Sequence, residues 1–210
     1  MERVWYVAYG SNLGLVRFRC YLAGGRPAGG MREYAGCRDK RDPERIVSLD
    51  VRGGLVFAGE SKVWGGGMAF YDGTAPGRVA CRAYLVTIEQ LADVVAQEMR
   101  RPPGGEFARD LAGLLGDVES VNTMGPGRYE TISRLGMRDG VPMFTVTHGD
   151  VGELEPVAPS ARYLWWLSIG LREAHGWNSD RIADYLAAAP GAKGRWTEDE
   201  IAAIAANDRP

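Results

Sequence analysis

Apolar positions come first as short crowded runs and later as spaced stripes, a change of period that predicts strands early in the chain and helices late. Val4, Trp5, Tyr6, Val7 and Ala8 form an unbroken apolar run rich in aromatic and β-branched residues, the pattern of a buried strand. It stops at Gly10. Ser11 and Asn12 are good N-cap residues, and Leu13, Val16, Tyr21 and Leu22 begin a helical face. A strand, a glycine turn and a helix start in succession aim backbone N–H groups at one point, which suits a carboxylate or an oxyanion. A Gly/Pro stretch (24–30) and an arginine-rich loop (31–43) with a short strand near Tyr34 follow. Residues 46–51 and 55–57 read as short strands parted by Gly53 and Gly54. Gly65, Gly66 and Gly67 precede a strand over 68–71 and imply close backbone approach or a bulge, because no phosphate-loop pattern surrounds them. Asp72-Gly73 then predicts a hairpin that residues 79–86 complete.

Residues 87–98 carry the clearest helical period. Thr87 with Gln90 makes a capping box, and Ile88, Leu91, Val94 and Val95 line one face. Counting on by three and four lands on Glu98, in the last turn before Pro102 and Pro103 stop the helix. Burial and the negative end of the helix dipole both disfavour charge on a carboxylate so placed, which equips it to move protons near neutral pH. The same spacing also lets Glu98 turn outward or pair with Arg100 or Arg101.

Residues 104–127 are irregular, with Phe107, Leu111, Leu114 and Leu115 predicting one short helix that forms part of a lid. Residues 128–135 and 141–147, joined through Arg138-Asp139-Gly140, predict a hairpin with Tyr129, Ile132, Phe144 and Val146 in the core. A proline-punctuated linker (153–159) leads to a helix over 160–175 that Gly176 can end. Asn178 or Ser179 caps a second helix, and Thr197 with Glu200 opens a third. The aromatic cluster from Tyr163 to Trp166 is expected to pack against a barrel formed by the strands rather than to serve as a ligand platform.

The formal charge of −2 over 210 residues gives no electrostatic case for a nucleic-acid partner or an acidic membrane. No apolar run reaches the ~18 residues that a membrane helix needs, and the start of the chain has no signal pattern. Cys20, Cys37 and Cys81 are few, odd in number and without a CxxC pair, which implies free thiols and a cytoplasmic protein. His148 and His175 have no ligand spacing around them, so no metal site is expected.

Tyr9-Gly10-Ser11-Asn12-Leu13 after an aromatic-rich first strand resembles the signature of the γ-glutamylcyclotransferase-like family. The resemblance extends over about residues 3–148, within the usual boundary error. Trp64-Gly65-Gly66-Gly67, the 79–86 strand and the helix ending in Glu98 follow in the family's order, and Glu98 falls where the family's catalytic glutamate is expected. Met99 stands where the family usually has glycine; Asp93 and Glu89 are fallback alignments. Tyr129 matches the family's tyrosine at the next strand, after an insertion over 101–126.

The resemblance implies an α+β fold: a small mixed β-barrel flanked by helices (residues 1–155), with a helical C-terminal extension (156–210) packed on it. It implies that the free α-amine of a γ-glutamyl amide attacks its own γ-carbonyl, giving 5-oxoproline and a released amine or amino acid. Glu98 is then the catalytic acid–base, and Tyr9, Gly10, Ser11, Asn12, Leu13 and Tyr129 bind the substrate. No metal or organic cofactor is required, and the partner is a small-molecule γ-glutamyl compound. Glutathione-specific relatives carry a different glycine turn. The rival readings are a binding protein on the same fold without turnover, a hydrolase using Ser11 or Cys81 with His148 or His175, which lacks the GxSxG elbow, and a metal-dependent deacylase, which lacks ligands in the sequence.

Overall fold

The computed structural model describes residues 2–115, 121–125 and 127–207. β1 (Arg3–Ala8) lies inside a six-stranded sheet with β5 (Arg78–Thr87) antiparallel on one side and β8 (Val141–Thr147) parallel on the other. β2 (Arg45–Arg52) extends the sheet beyond β5. β7 (Thr131–Arg138) and the short β6 (Val121–Thr123) extend it beyond β8. β3 (Gly54–Ala58) and β4 (Met68–Asp72) form a separate two-stranded ribbon.

The expected β-barrel does not form. Among the described residues, β2 and β6 end the sheet without pairing to each other, and the β3–β4 ribbon does not bridge them. Where β4 approaches β8, the Thr147 hydroxyl stands between them, accepting from the Tyr71 amide at 3.1 Å and donating to the Tyr71 carbonyl at 2.7 Å. A side chain occupies the place of a ladder.

A second cause lies in β1. Successive side chains alternate faces, and both faces are buried. Val4, Tyr6 and Ala8 pack with α1 (Leu15–Ala23), α2 (Ile88–Glu98) and α3 (Glu106–Leu114). Trp5, Val7 and Tyr9 pack with α4 (Ala161–His175), α5 (Ser179–Ala187) and α6 (Glu198–Ala206). A barrel has one inner face, whereas this sheet has helices on both, which is why β1 reads as a continuous apolar run.

The hairpin expected at Asp72-Gly73 is also corrected. Asp72 Oδ1 accepts from the Thr74 and Ala75 amides, so the turn chemistry is present. The strands on either side nevertheless part company: β4 pairs with β3, and β5 pairs with β2 and β1. The short strand expected near Tyr34 is a single bridge to Gly25. α3 follows the apolar spacing of 107–115; the rest of the expected lid includes 116–120 and 126, outside the described residues. No helix among the described residues is long and apolar enough to cross a membrane.

Candidate active site

At the end of β1 the chain enters a 3₁₀ turn, Ser11–Leu13, and α1 begins only after Gly14. Neither Ser11 nor Asn12 caps the helix. Asn12 is engaged elsewhere: its Nδ2 donates to the Tyr6 hydroxyl at 3.0 Å and lies 3.4 Å from Glu98 Oε1, and its carbonyl accepts from the Tyr84 hydroxyl at 2.7 Å. Gly10 has an ordinary negative φ, so space is what requires glycine. A Cβ there would sit 3.1 Å from the Tyr163 hydroxyl.

α2 delivers Glu98 from the opposite direction. Its capping box forms as the sequence predicts. Beyond Glu98 the helix closes in a Schellman arrangement, with Arg100 N–H on the Gln97 carbonyl and Arg101 N–H on the Ala96 carbonyl. The left-handed position of that motif, which favours glycine, is held by Arg100 at φ 58°. Gln97 ties this end of α2 to α1, donating to the Tyr21 carbonyl at 3.0 Å. Glu98 is half-buried.

These elements enclose a cavity of about 360 Å³. Tyr9, Gly10, Ser11, Asn12, Glu98 and Tyr129 all line it; Leu13 does not. Leu13 is in the core, and its amide is spent on the Gly10 carbonyl at 2.9 Å. Tyr9 and Tyr129 donate their hydroxyls to the carbonyls of Val146 and Ala69, each at 2.7 Å, so they offer the cavity their rings. The fallback acids lie elsewhere. Asp93 is fully buried and clamps Arg38 and the Gly104 amide, while Glu89 is exposed on the first turn of α2.

Sequence reasoning missed Arg17 and Tyr163. Arg17 is 2% exposed, with the rings of Tyr21 and Tyr34 about its guanidinium at 4.6 and 4.5 Å and its Nη2 donating to the Tyr34 hydroxyl at 2.7 Å. Its Nε and Nη1 make no hydrogen bond of normal geometry among the described residues. Burial alone would lower its pKa, but Tyr21, Tyr34 and Glu98 outweigh that and hold it raised, so it carries a permanent charge beneath the cavity. The one available signal was its place in line with Leu13 and Tyr21 at intervals of four, a cation on an otherwise apolar stripe. Tyr163, which the sequence assigns to packing, sends its hydroxyl into the cavity, accepting from the Ala69 amide at 3.2 Å. Its phenol is pushed up to about 12, chiefly by burial. Burial first, and the Glu98 carboxylate second, likewise keep Tyr21 protonated.

The hydrolase reading has no geometry behind it. Neither His148 nor His175 lines the cavity. Cys81 is buried in the sheet, and His175 meets its carbonyl, at 3.1 Å, rather than its thiol. Among the described residues no three His, Cys, Asp or Glu side chains gather as a metal would need.

Among the solved structures that resemble the chain, two match nearly the whole of it. One is a human protein described as uncharacterized, with a TM-score of 0.53 and 17% identity over 99% of this chain and 100% of that one. The other is a γ-glutamyl cyclotransferase, with a TM-score of 0.51 and 18% identity over 97% of this chain and 98% of that one. The chain has the γ-glutamyl cyclotransferase fold. At this identity the likeness concerns fold alone. No family model matches the chain. By sequence it is 38% identical over 152 residues to a protein named histone deacetylase 5 from Arabidopsis thaliana, a stretch covering 69% of this chain. The matched region spans about a quarter (23%) of that relative's length. In the cyclotransferase fold seen here, the C-terminal helices contribute to the cavity through Tyr163, and Ser160 Oγ secures the Trp64 carbonyl at 2.8 Å.

Proposed function

We propose that the protein is a γ-glutamylcyclotransferase-type enzyme that closes the γ-glutamyl moiety of an amide to 5-oxoproline and releases an amine or amino acid. The observation that carries this reading is the approach of the Glu98 carboxylate to the Asn12 side chain, 3.4 Å apart in one cavity of a cyclotransferase fold. The nucleophile belongs to the substrate, so the chemistry needs no catalytic serine or cysteine.

Glu98 takes a proton from the substrate's α-ammonium. The freed amine attacks the γ-carbonyl carbon, a C–N bond forms, and negative charge builds on the carbonyl oxygen. The 10–12 backbone and the Tyr163 hydroxyl face that oxygen; Tyr163 accepts from Ala69, which leaves its own proton to donate. Glu98 passes its proton to the departing nitrogen as the original C–N bond breaks, then relays the second proton that the ring nitrogen loses. The lactam keeps one hydrogen and the leaving group departs as an ammonium. Folding the substrate for attack on itself removes the entropy cost of encounter. Arg17, permanently charged under the same cavity, attracts the α-carboxylate.

The experiment is mass spectrometry for 5-oxoproline after incubation with a panel of γ-glutamyl amino acids and γ-glutamyl amines. Release from at least one of them is expected; ligand binding with no 5-oxoproline from any would favour the rival binding protein. Within that assay Gly10→Val is expected to cost more activity than Ser11→Ala, about 100-fold against less than 10-fold. The valine side chain would displace Tyr163, whereas the serine acts through its backbone. Equal losses would mean that the Ser11 hydroxyl, not the turn, matters.

A further inference from the structure

Among the described residues, the cavity is lined by six cations and one carboxylate, in a chain whose formal charge is −2. Arg17 forms its floor. Arg32, Lys62, Arg100, Arg101 and Arg128 stand around its mouth, partly or fully exposed. None of the six is ion-paired among the described residues, yet seven arginines elsewhere are, including Arg19 with Asp42, Arg38 with Asp93 and Arg82 with Glu173. The mouth residues meet rings and carbonyls instead. Arg32 lies over Tyr34, Arg101 over Phe107, and Arg128 donates to the Glu60 carbonyl. Cations without an ion-pair partner therefore gather around a single described carboxylate at this cavity.

Arg100 adds a second, independent observation. A side chain at φ 58° is strained where glycine would be relaxed. Residues held in such conformations cluster at functional sites, where the surroundings over-determine them. Here the strained conformation places a cation two residues from Glu98, on the cavity wall.

Resting on the cyclotransferase reading, we infer that the leaving part of the substrate is itself anionic, with γ-glutamylglutamate and short γ-linked glutamyl oligomers as the preferred class over γ-glutamyl amines. One carboxylate, the α-carboxylate of the residue being cyclised, is accounted for by Arg17 on the floor. Five further cations at the mouth have no role toward a neutral leaving group. They suit a leaving group that carries two or more carboxylates, and they raise the local concentration of such substrates.

The test uses three substrates whose leaving groups carry zero, one and two carboxylates: γ-glutamylbutylamine, γ-glutamylglutamine and γ-glutamylglutamate. The last two are nearly isosteric and differ by one charge. Each added carboxylate is expected to raise kcat/KM about fivefold or more at low salt, and the steps should shrink at about 0.5 M NaCl. In a variant combining R32Q, K62Q, R101Q and R128Q the glutamate-to-glutamine ratio should fall toward one. Arg100→Gly is expected to raise Tm by about 2–4 °C while lowering that ratio, a combination that a purely structural Arg100 would not give.

Calorimetry of the same compounds against Glu98→Gln reads binding without turnover. Absence of 5-oxoproline from every substrate would sink the cyclotransferase reading, and the calorimetric ratio would still decide this one. Equal affinity for γ-glutamylglutamine and γ-glutamylglutamate, or a ratio unchanged in the combined variant, overturns it.

Discussion

Glu98→Gln is expected to lower the rate of 5-oxoproline formation about 10³-fold, the scale of a lost general acid–base, while Tm moves by less than about 2 °C. Glutamine keeps the length of the side chain and an oxygen that can face Asn12 Nδ2, so the cavity keeps its shape. What disappears is the ability to take a proton from the substrate ammonium and return it to the leaving nitrogen. Stability should not suffer, because Glu98 ends α2, where the helix dipole favours loss of a negative charge by a few tenths to about 1 kcal/mol. Kinetics on purified protein beside thermal unfolding separate the two effects. A variant with wild-type turnover would leave the proposed proton transfer without its carrier.

Gly170→Ala should be the most damaging small substitution in the C-terminal helices. Gly170 sits in α4 against the turn that follows β1. A Cβ there would lie 2.4 Å from Leu13 Cβ and 2.8 Å from the Gly14 nitrogen. Alanine ordinarily gains about 1 kcal/mol over glycine inside a helix. Overlap with backbone that cannot swing aside costs more, so a net loss of about 2 kcal/mol and a Tm lower by about 4–8 °C are expected. Gly113→Ala in α3, where nothing stands within 4 Å, is the control and should raise Tm slightly. A Gly170→Ala protein as stable as the parent would show that α4 does not brace the turn. Activity should fall with stability, because Leu13 and Gly14 continue directly from the cavity-lining residues 10–12.

What could be read from the chain was local. The capping box at Thr87, the stripe leading to Glu98 and the break at Gly10 are linear patterns, and the structure has a 3₁₀ turn and a helix end where they fall. That Glu98 meets Asn12 across the cavity could be anticipated only through family resemblance, since no spacing rule links residues so far apart. Strand partnership was not legible. Asp72-Gly73 encodes a turn, but whether β4 then pairs with β3 or β5 is decided by which strands β1 and β2 have already taken. The barrel failed for a related reason: an apolar run such as β1 announces burial on both faces without saying whether strands or helices provide the cover. Arg17 escaped notice because a single arginine among apolar neighbours says nothing of the tyrosines that enclose it until α1 and the 31–43 loop are packed together.

The two-sided burial of β1 also bears on how the molecule is made. Within this chain β1 is synthesised before every other element, and the helices that cover its Trp5, Val7 and Tyr9 side come after all the strands. The nascent chain therefore carries an uncovered aromatic ridge until those helices emerge, a surface that invites chaperones while it waits.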